Sequence, residues 1–229
     1  MVKYVIATAT NSQFYVQTQQ MLYSLHCLLP DGFEVLIFDN GLTPQQSAIL
    51  QSSFGFAHIS VFKRQLTTYD RQSYLFKTWA HELALQMGDC IYMWLDSKTM
   101  LKYDENKILR MLEKQPVYGH MPFPQPEHYW TDIRTMDAFE LDEVDRQTPQ
   151  IQASAMLFDL RTNEAKAFLS TLIYLNRQKE IITPEGTFKG FEPPTHRQDQ
   201  SVFSCLMKKS GYKDNDHLWA MMHCSLYFN

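Results

Sequence analysis

Charged residues fall in this sequence directly after apolar runs, a placement that suits them to hold a small anionic ligand. Asp39 closes Glu34 to Phe38, Lys63-Arg64 follows His58 to Phe62, and Asp96-Ser97-Lys98 follows Cys90 to Leu95. The polar trio Thr8-Ala9-Thr10 ends the first apolar run. A carboxylate at the end of a wholly apolar segment is costly to bury without a partner, so Asp96 is a candidate for gripping a metal ion or a diphosphate. Lys77, Arg64 and Lys98 are candidate phosphate contacts, and Lys77 could equally be a solvated helix charge. Further along, His196-Arg197-Gln198-Asp199 opens a helical pattern. Asp199 there could take a proton from a hydroxyl group or simply cap the helix at Gln200, and His196 is a rival base. Asp39-Asn40-Gly41 faces a similar choice between a ligand-facing role and ordinary turn chemistry.

These groups need elements to bring them together. Apolar runs at Tyr4 to Thr8, Glu34 to Phe38, His58 to Phe62 and Cys90 to Leu95 alternate with helical patterns. The helices are expected from Phe14 to Leu29, after the Thr43-Pro44 cap, and from Tyr74 to Met87. That rhythm means crossover units and a mainly parallel sheet flanked by helices. Ligands in such sheets bind beyond the carboxyl ends of the strands, where all four polar spots lie. The second half is less regular. Asp104 caps a short helix through Glu113, residues 116–150 read as an extended, Pro-rich aromatic loop, and Ala153 to Leu160 reads as a strand opened by Gln152. Thr162 to Arg177 is an amphipathic helix, 178–197 a second loop, and Gln198 to Lys209 a final helix. His128, Tyr129 and Trp130 could form an aromatic stacking wall for a ligand or a local apolar cluster.

Composition narrows the class. With 229 residues the chain fits one large domain, and folding can bury about 70% of its unfolded surface without a disulfide or metal staple. Twenty-one Lys and Arg against 25 Asp and Glu give a formal charge of -4, which argues against duplex nucleic acid as the main partner. Cys27, Cys90, Cys205 and Cys224 form no CxxC pair, so a reduced, cytoplasmic setting is expected. No signal-peptide layout opens the chain and no apolar run is long enough to span a membrane. Gly numbers only 8. Neither GxGxxG nor GxxxxGK[ST] occurs, so a bound diphosphate would need a carboxylate-held cation or basic side chains instead of a glycine loop. His81-Glu82 lacks the second histidine of a zinc-protease helix, since position 85 is Leu.

Four segments together resemble the GT-A class of nucleotide-sugar glycosyltransferases, in particular small, soluble bacterial- or viral-type members. They are Val5-Ile6-Ala7-Thr8-Ala9-Thr10-Asn11, Ile37-Phe38-Asp39-Asn40-Gly41-Leu42-Thr43, Tyr74-Leu75-Phe76-Lys77 ahead of Trp94-Leu95-Asp96-Ser97, and His196-Arg197-Gln198-Asp199-Gln200-Ser201. The resemblance implies one GT-A-like α/β domain over 1–229, with a Rossmann-like nucleotide-sugar half (1–115) and a smaller acceptor half (116–229). It implies transfer of a hexosyl or deoxyhexosyl unit from a nucleoside diphosphate sugar, a UDP-sugar being expected, to a hydroxyl on a glycan or glycoconjugate. Thr8, Ala9, Thr10, Asp39, Arg64, Lys77, Asp96, Ser97 and Lys98 would line the donor site, with Asp199 and His196 at the reacting centre. Mn2+ or Mg2+ would be held by Asp96 and His223. One departure stands out: the family's metal motif is Asp-any-Asp, and this chain has Lys98 in the third place. Lys98, Arg64 or Lys77 could therefore neutralise the diphosphate without a metal. The rival readings are a non-catalytic nucleotide-sugar or glycan-binding module and, less well matched, a nucleotidyltransferase.

Overall fold

A computed structural model describes residues 2–63, 65–120, 126–183, 196–212 and 219–222. The four expected strands form, as β1 (Tyr4–Thr10), β2 (Phe33–Asp39), β3 (Ala57–Lys63) and β4 (Ile91–Leu95). Between them run α1 (Tyr15–Leu28), entered through a 3-10 turn at Ser12–Phe14, and α2 (Pro44–Ser52). A short α3 (Thr68–Gln72) precedes α4 (Leu75–Gln86). Thr43 caps α2 as its sequence predicts: its side chain takes the Gln46 N–H while the Gln46 side chain takes the Thr43 N–H, satisfying two end donors reciprocally.

Beyond β4 come β5 (Thr99–Leu101), α5 (Glu105–Leu112, capped by Asp104) and β6 (Val117–His120). Then follow α6 (Glu127–Trp130), α7 (Ile133–Ala138), α8 (Glu143–Gln147) and β7 (Gln152–Asp159). Last are α9 (Asn163–Asn176), α10 (Lys179–Ile182), α11 (Gln198–Lys209) and β8 (Ala220–Met222). The described residues of the stretch expected to be an extended loop over 116–150 thus include one strand and three helices. Helices of four to six residues are too short to display a 3.6-residue period, and only their Asp132 and Asp142 caps mark them. Part of the second expected loop is likewise α10.

The main sheet runs in the order β3-β2-β1-β4-β7-β6. β3, β2, β1 and β4 are mutually parallel, whereas β7 lies antiparallel to β4 and β6 antiparallel to β7. The chain winds outward from β1 through β2 to β3, then crosses back to place β4 on the other side of β1. The gap between β1 and β4 is therefore the topological switch point, where adjacent crossovers leave to opposite faces and open a crevice. A second, two-stranded sheet joins β5 to β8.

Two apolar cores cover the two sheet faces. Ile6, Val35 and Ile37 pack with Met21, Leu22 and Leu25 of α1, Leu50 of α2, and Ile108 and Met111 of α5. Val5, Leu36, Trp94 and Phe158 pack with Phe76 and Ala80 of α4, Leu169 of α9, and Val202 and Phe203 of α11. Every residue of β4 and β7 is buried, which accounts for the near-continuous apolarity of the Cys90 to Leu95 run. Gly119, where β6 and β7 shift register, lies against Ile151 and Phe203, and a Cβ there would overlap both side chains. The variant Gly119→Ala is expected to lose about 1–3 kcal/mol of stability, because the surrounding core has to give way. A urea unfolding curve for the variant checks this, and an unchanged midpoint would show that Phe203 is free to move.

Candidate active site at the switch point

The strands of the parallel half end on a common edge, and the order of their ends sets the order of polar groups along it. At the β2 and β3 ends, Asp39, Asn40, Gly41, Leu42, Lys63 and Arg71 help to line a cleft of about 510 Å3. The Asp39 carboxylate accepts the Gly41 and Leu42 N–H groups at 2.8 and 2.6 Å, so it builds the turn that forms the cleft wall. Gly41 sits at φ 132°, a conformation side-chain-bearing residues rarely adopt. At the β1 end, Thr10 is buried and its hydroxyl receives that of Thr18 on α1 at 2.7 Å. Thr8 is fully buried with no hydrogen-bond partner for its hydroxyl, and Ala9 is half-buried.

The β4 end carries the centre of the site. Strand side chains two residues apart share a face, and the Trp94 indole N–H reaches the Asp96 Oδ1 at 2.7 Å. Lys77, from the first turn of α4, brings its ammonium to within 3.4 Å of the same oxygen and 2.7 Å of Asp199 Oδ2 on α11. It also donates to the Ala153 carbonyl of β7 at 3.1 Å, so the ammonium is shared among three oxygens. Lys77 is 4% exposed and Asp199 6%, whereas the Asp96 side chain is 40% exposed and reaches the crevice. Burial works against the Lys77 charge, but Asp199 and then Asp96 outweigh it and hold its pKa above the ordinary value. Burial raises the Asp199 carboxyl pKa while the Lys77 ammonium opposes the rise, leaving a carboxylate more basic than one in water.

Asp199 is not the cap of α11. The cap position is Arg197, without a side-chain cap bond, and Asp199 lies inside the first turn with its carboxylate on Lys77. Among the described residues three non-glycines have positive φ, and two of them flank this pair: Tyr74 at 57° and Gln198 at 37°. Such conformations cost about 1–3 kcal/mol each and gather where function constrains the backbone. Tyr74 stands at the mouth of the site, 41% exposed, its ring 5.4 Å from the Lys77 ammonium. Arg197 lies with its guanidinium 3.8 Å from the Trp130 ring centroid and faces no carboxylate among the described residues.

A buried polar network fixes α11 in place. Glu127 of α6 accepts from Thr131, from Gln150 at 3.1 Å, from Ser204 and from the Lys208 ammonium at 2.8 Å. The remaining Lys208 protons go to the Asp145 and Thr148 carbonyls. Ser201 donates to the Trp130 carbonyl at 2.8 Å and accepts from the Arg197 N–H at 2.9 Å. His128, Tyr129 and Trp130, expected in a loop, thus belong to a helix tied to the start of α11.

Other expected site residues have other surroundings. His196 is buried, its Nδ1 accepts the Asp132 N–H at 3.2 Å, and burial lowers its pKa to about 4. Ser97 is buried behind Asp96, and Gln152 accepts from Ser154 at 3.0 Å. Lys98 extends to 4.4 Å from the Phe14 ring centroid. Arg64 and His223 lie outside the described residues, as does Cys224. Cys90 and Cys205 are free, buried thiols and Cys27 is free and exposed. Tyr74, Trp94 and Arg197 were missed as site residues. Each stood within three residues of one that was named, and Trp94 could have been found from its strand spacing to Asp96.

The expected metal centre is not assembled by the described residues. Asp96 offers one carboxylate, one of whose oxygens already takes an indole N–H and an ammonium; Lys98 fills the second ligand place, and no three His, Cys, Asp or Glu side chains converge among the described residues.

Comparison with known proteins agrees with the architecture. No family model matches the chain, and no curated protein does. Solved structures do match it, among them three at 11–12% identity. Apo WbbM, a bifunctional glycosyltransferase, superposes with TM-score 0.58 at 11% identity over 90% of this chain. This chain spans only 37% of that protein. Mouse xyloside xylosyltransferase 1, apo form, matches with TM-score 0.52 and 12% identity over 92% of this chain and 82% of its own. The galactosyltransferase LgtC, in complex with donor and acceptor sugar analogs, matches with TM-score 0.52 and 12% identity over 88% and 70%. The chain has a GT-A glycosyltransferase fold. No helix among the described residues is long and apolar enough to cross a membrane.

Two measurements test the site's energetics. Lys77→Met leaves two carboxylates facing each other and is expected to cost about 3–5 kcal/mol, part of which Asp199→Asn in the same chain recovers. Chemical denaturation of the single and double variants reads the coupling, and strict additivity would mean that the pair does not interact. Burial also lowers the pKa of His81 from 6.5 to about 3 and of His196 from 6.5 to about 4. Below 6.5 the unfolded chain takes up protons the folded chain refuses, so stability falls with pH down to those folded values. The melting temperature is expected to drop between neutral pH and pH about 4, and His81→Phe to flatten that slope.

Proposed function

We propose that the chain transfers a sugar from a nucleoside diphosphate sugar, a UDP-sugar in the leading case, to a hydroxyl of a glycan or glycoconjugate. The observation that carries this reading is the Asp96–Lys77–Asp199 cluster at the switch point of a GT-A fold. Neighbouring strands lie about 4.8 Å apart, so β2 to β4 spans about 10 Å, the reach of a diphosphate between a nucleoside and a sugar. Residues 1–115 would then bind the donor, with the nucleoside in the cleft beside Asp39 and the sugar at the cluster. Residues 116–229 would receive the acceptor, with Tyr74 and the Arg197–Trp130 stack walling the entrance.

In the reaction the acceptor oxygen bonds to the anomeric carbon as the bond from that carbon to the diphosphate oxygen breaks. The leaving nucleoside diphosphate keeps the bonding electron pair. Where configuration inverts, Asp199 takes the acceptor proton, helped by the raised basicity that burial gives it. Where configuration is retained, Asp199 and Gln200 bind the sugar instead. Lys77 is a positioning residue in both cases: buried between the two carboxylates and the Ala153 carbonyl, it orients both acids.

A panel of nucleotide-sugars, assayed for nucleoside diphosphate release with and without glycan acceptors, tests the proposal. Turnover is expected with one donor, and Asp199→Asn and Asp96→Ala are each expected to reduce it about 100-fold or more with circular dichroism unchanged. Binding of a nucleotide-sugar without hydrolysis or transfer would refute the enzyme and leave the binding-module reading.

A further inference from the structure

We infer that Lys98, in place of a divalent metal, neutralises the donor diphosphate at the switch point. The inference rests on the nucleoside diphosphate sugar reading above. It starts from how the Asp96-Ser97-Lys98 turn is built. Asp96 faces the crevice, but its Oδ1 is occupied by the Trp94 N–H and the Lys77 ammonium. Ser97 is buried. The third residue therefore supplies the turn's second half-buried charge, and that charge is positive.

The Lys98 side chain is held ready for an anion. Its ammonium lies 4.4 Å from the centroid of Phe14, the last residue of the 3-10 turn that follows β1. This contact joins the turn after β4 to the turn after β1, the two strands that flank the switch point. Asn11 locks that turn by accepting the Gln13 and Phe14 N–H groups at 2.9 and 3.3 Å, so the ring is a fixed platform. Lys98 pairs with no carboxylate among the described residues, because Asp96 and Asp199 both belong to Lys77. The local charge count makes the same point. Asp96 and Asp199 contribute -2 and Lys77 +1, leaving -1, and Lys98 brings the cluster to zero. A second acid at position 98 would instead leave -2, a natural seat for a dication. As built, a dication here would face two ammonium groups and share a carboxylate with one of them. An aromatic-backed ammonium can offset phosphate charge directly as the leaving group departs.

Isothermal titration of the full chain with UDP, in excess EDTA and in excess Mn2+, tests the inference without relying on turnover. Affinity is expected to agree within about twofold between the two conditions, and Lys98→Ala to weaken it about tenfold in both. Lys98→Arg is expected to retain most of the affinity. Lys98→Asp, which creates Asp-Ser-Asp, is expected to make UDP binding depend on Mn2+. Thermal melts of the variants confirm that they are folded, and the wild-type comparison stands without them. Mn2+ strengthening wild-type UDP binding tenfold or more overturns the inference and leaves the donor reading intact. So does UDP affinity unchanged in folded Lys98→Ala. No UDP binding in either condition overturns both.

Discussion

A single buried ammonium ties the molecule's two halves together. Lys77 leaves α4 and meets Asp96 at the end of β4, Asp199 on α11 and the Ala153 carbonyl on β7. Taking such ions out of water costs several kcal/mol each, so the arrangement persists only where every charge has partners in good geometry. That demand dictates the rest. β4 has to end at Asp96, α4 has to start beside it, and α11 has to return across the sheet with its first turn at the same spot. The left-handed backbones of Tyr74 and Gln198 sit at the starts of those two helices, where the chain bends to meet the constraint.

The second buried pair serves the first. Glu127 and Lys208 join α6 to the far end of α11, and Gln150, Ser201 and Ser204 fill the space between with hydrogen bonds. A polar network this well satisfied resists alternative packings, because any slip of α11 strands several buried polar groups at once. The helix that carries Asp199 is thereby fixed at both ends, and a reactive carboxylate gains from such rigid support. The adjacent Arg197–Trp130 stack extends the same scaffold to the rim of the crevice.

Electrostatically the centre differs from one made to cage a metal ion. Its two carboxylates share the Lys77 ammonium, and Lys98 and Arg197, which face no carboxylate among the described residues, lie against the Phe14 and Trp130 rings. A net charge of -4 spread over the whole chain is no obstacle to an anionic ligand when the local sites are cationic.

The first four strands, the capping of α2 and α5 and the placement of Asp39 and Asp96 after apolar runs were all legible in the chain, since each depends on residues close in sequence. The scarcity of glycine pointed away from glycine-built phosphate loops in the same way. The short helices between Glu127 and Gln147 escaped notice because four to six residues cannot show a helical period, and β5 and β8 because three residues cannot show alternation. What lay wholly beyond sequence was partnership. Lys77 reads as a phosphate contact or a solvated charge on a helix, Asp199 as a base or a helix cap and Lys98 as a neighbour of Asp96. Only the packing of α4, β4 and α11 pairs Lys77 with both acids and leaves Lys98 to Phe14. Local sequence specifies the elements through short-range sterics and burial, but which charge compensates which depends on contacts such as Lys77 to Asp199, between residues 122 positions apart. Those contacts exist only once the chain has folded.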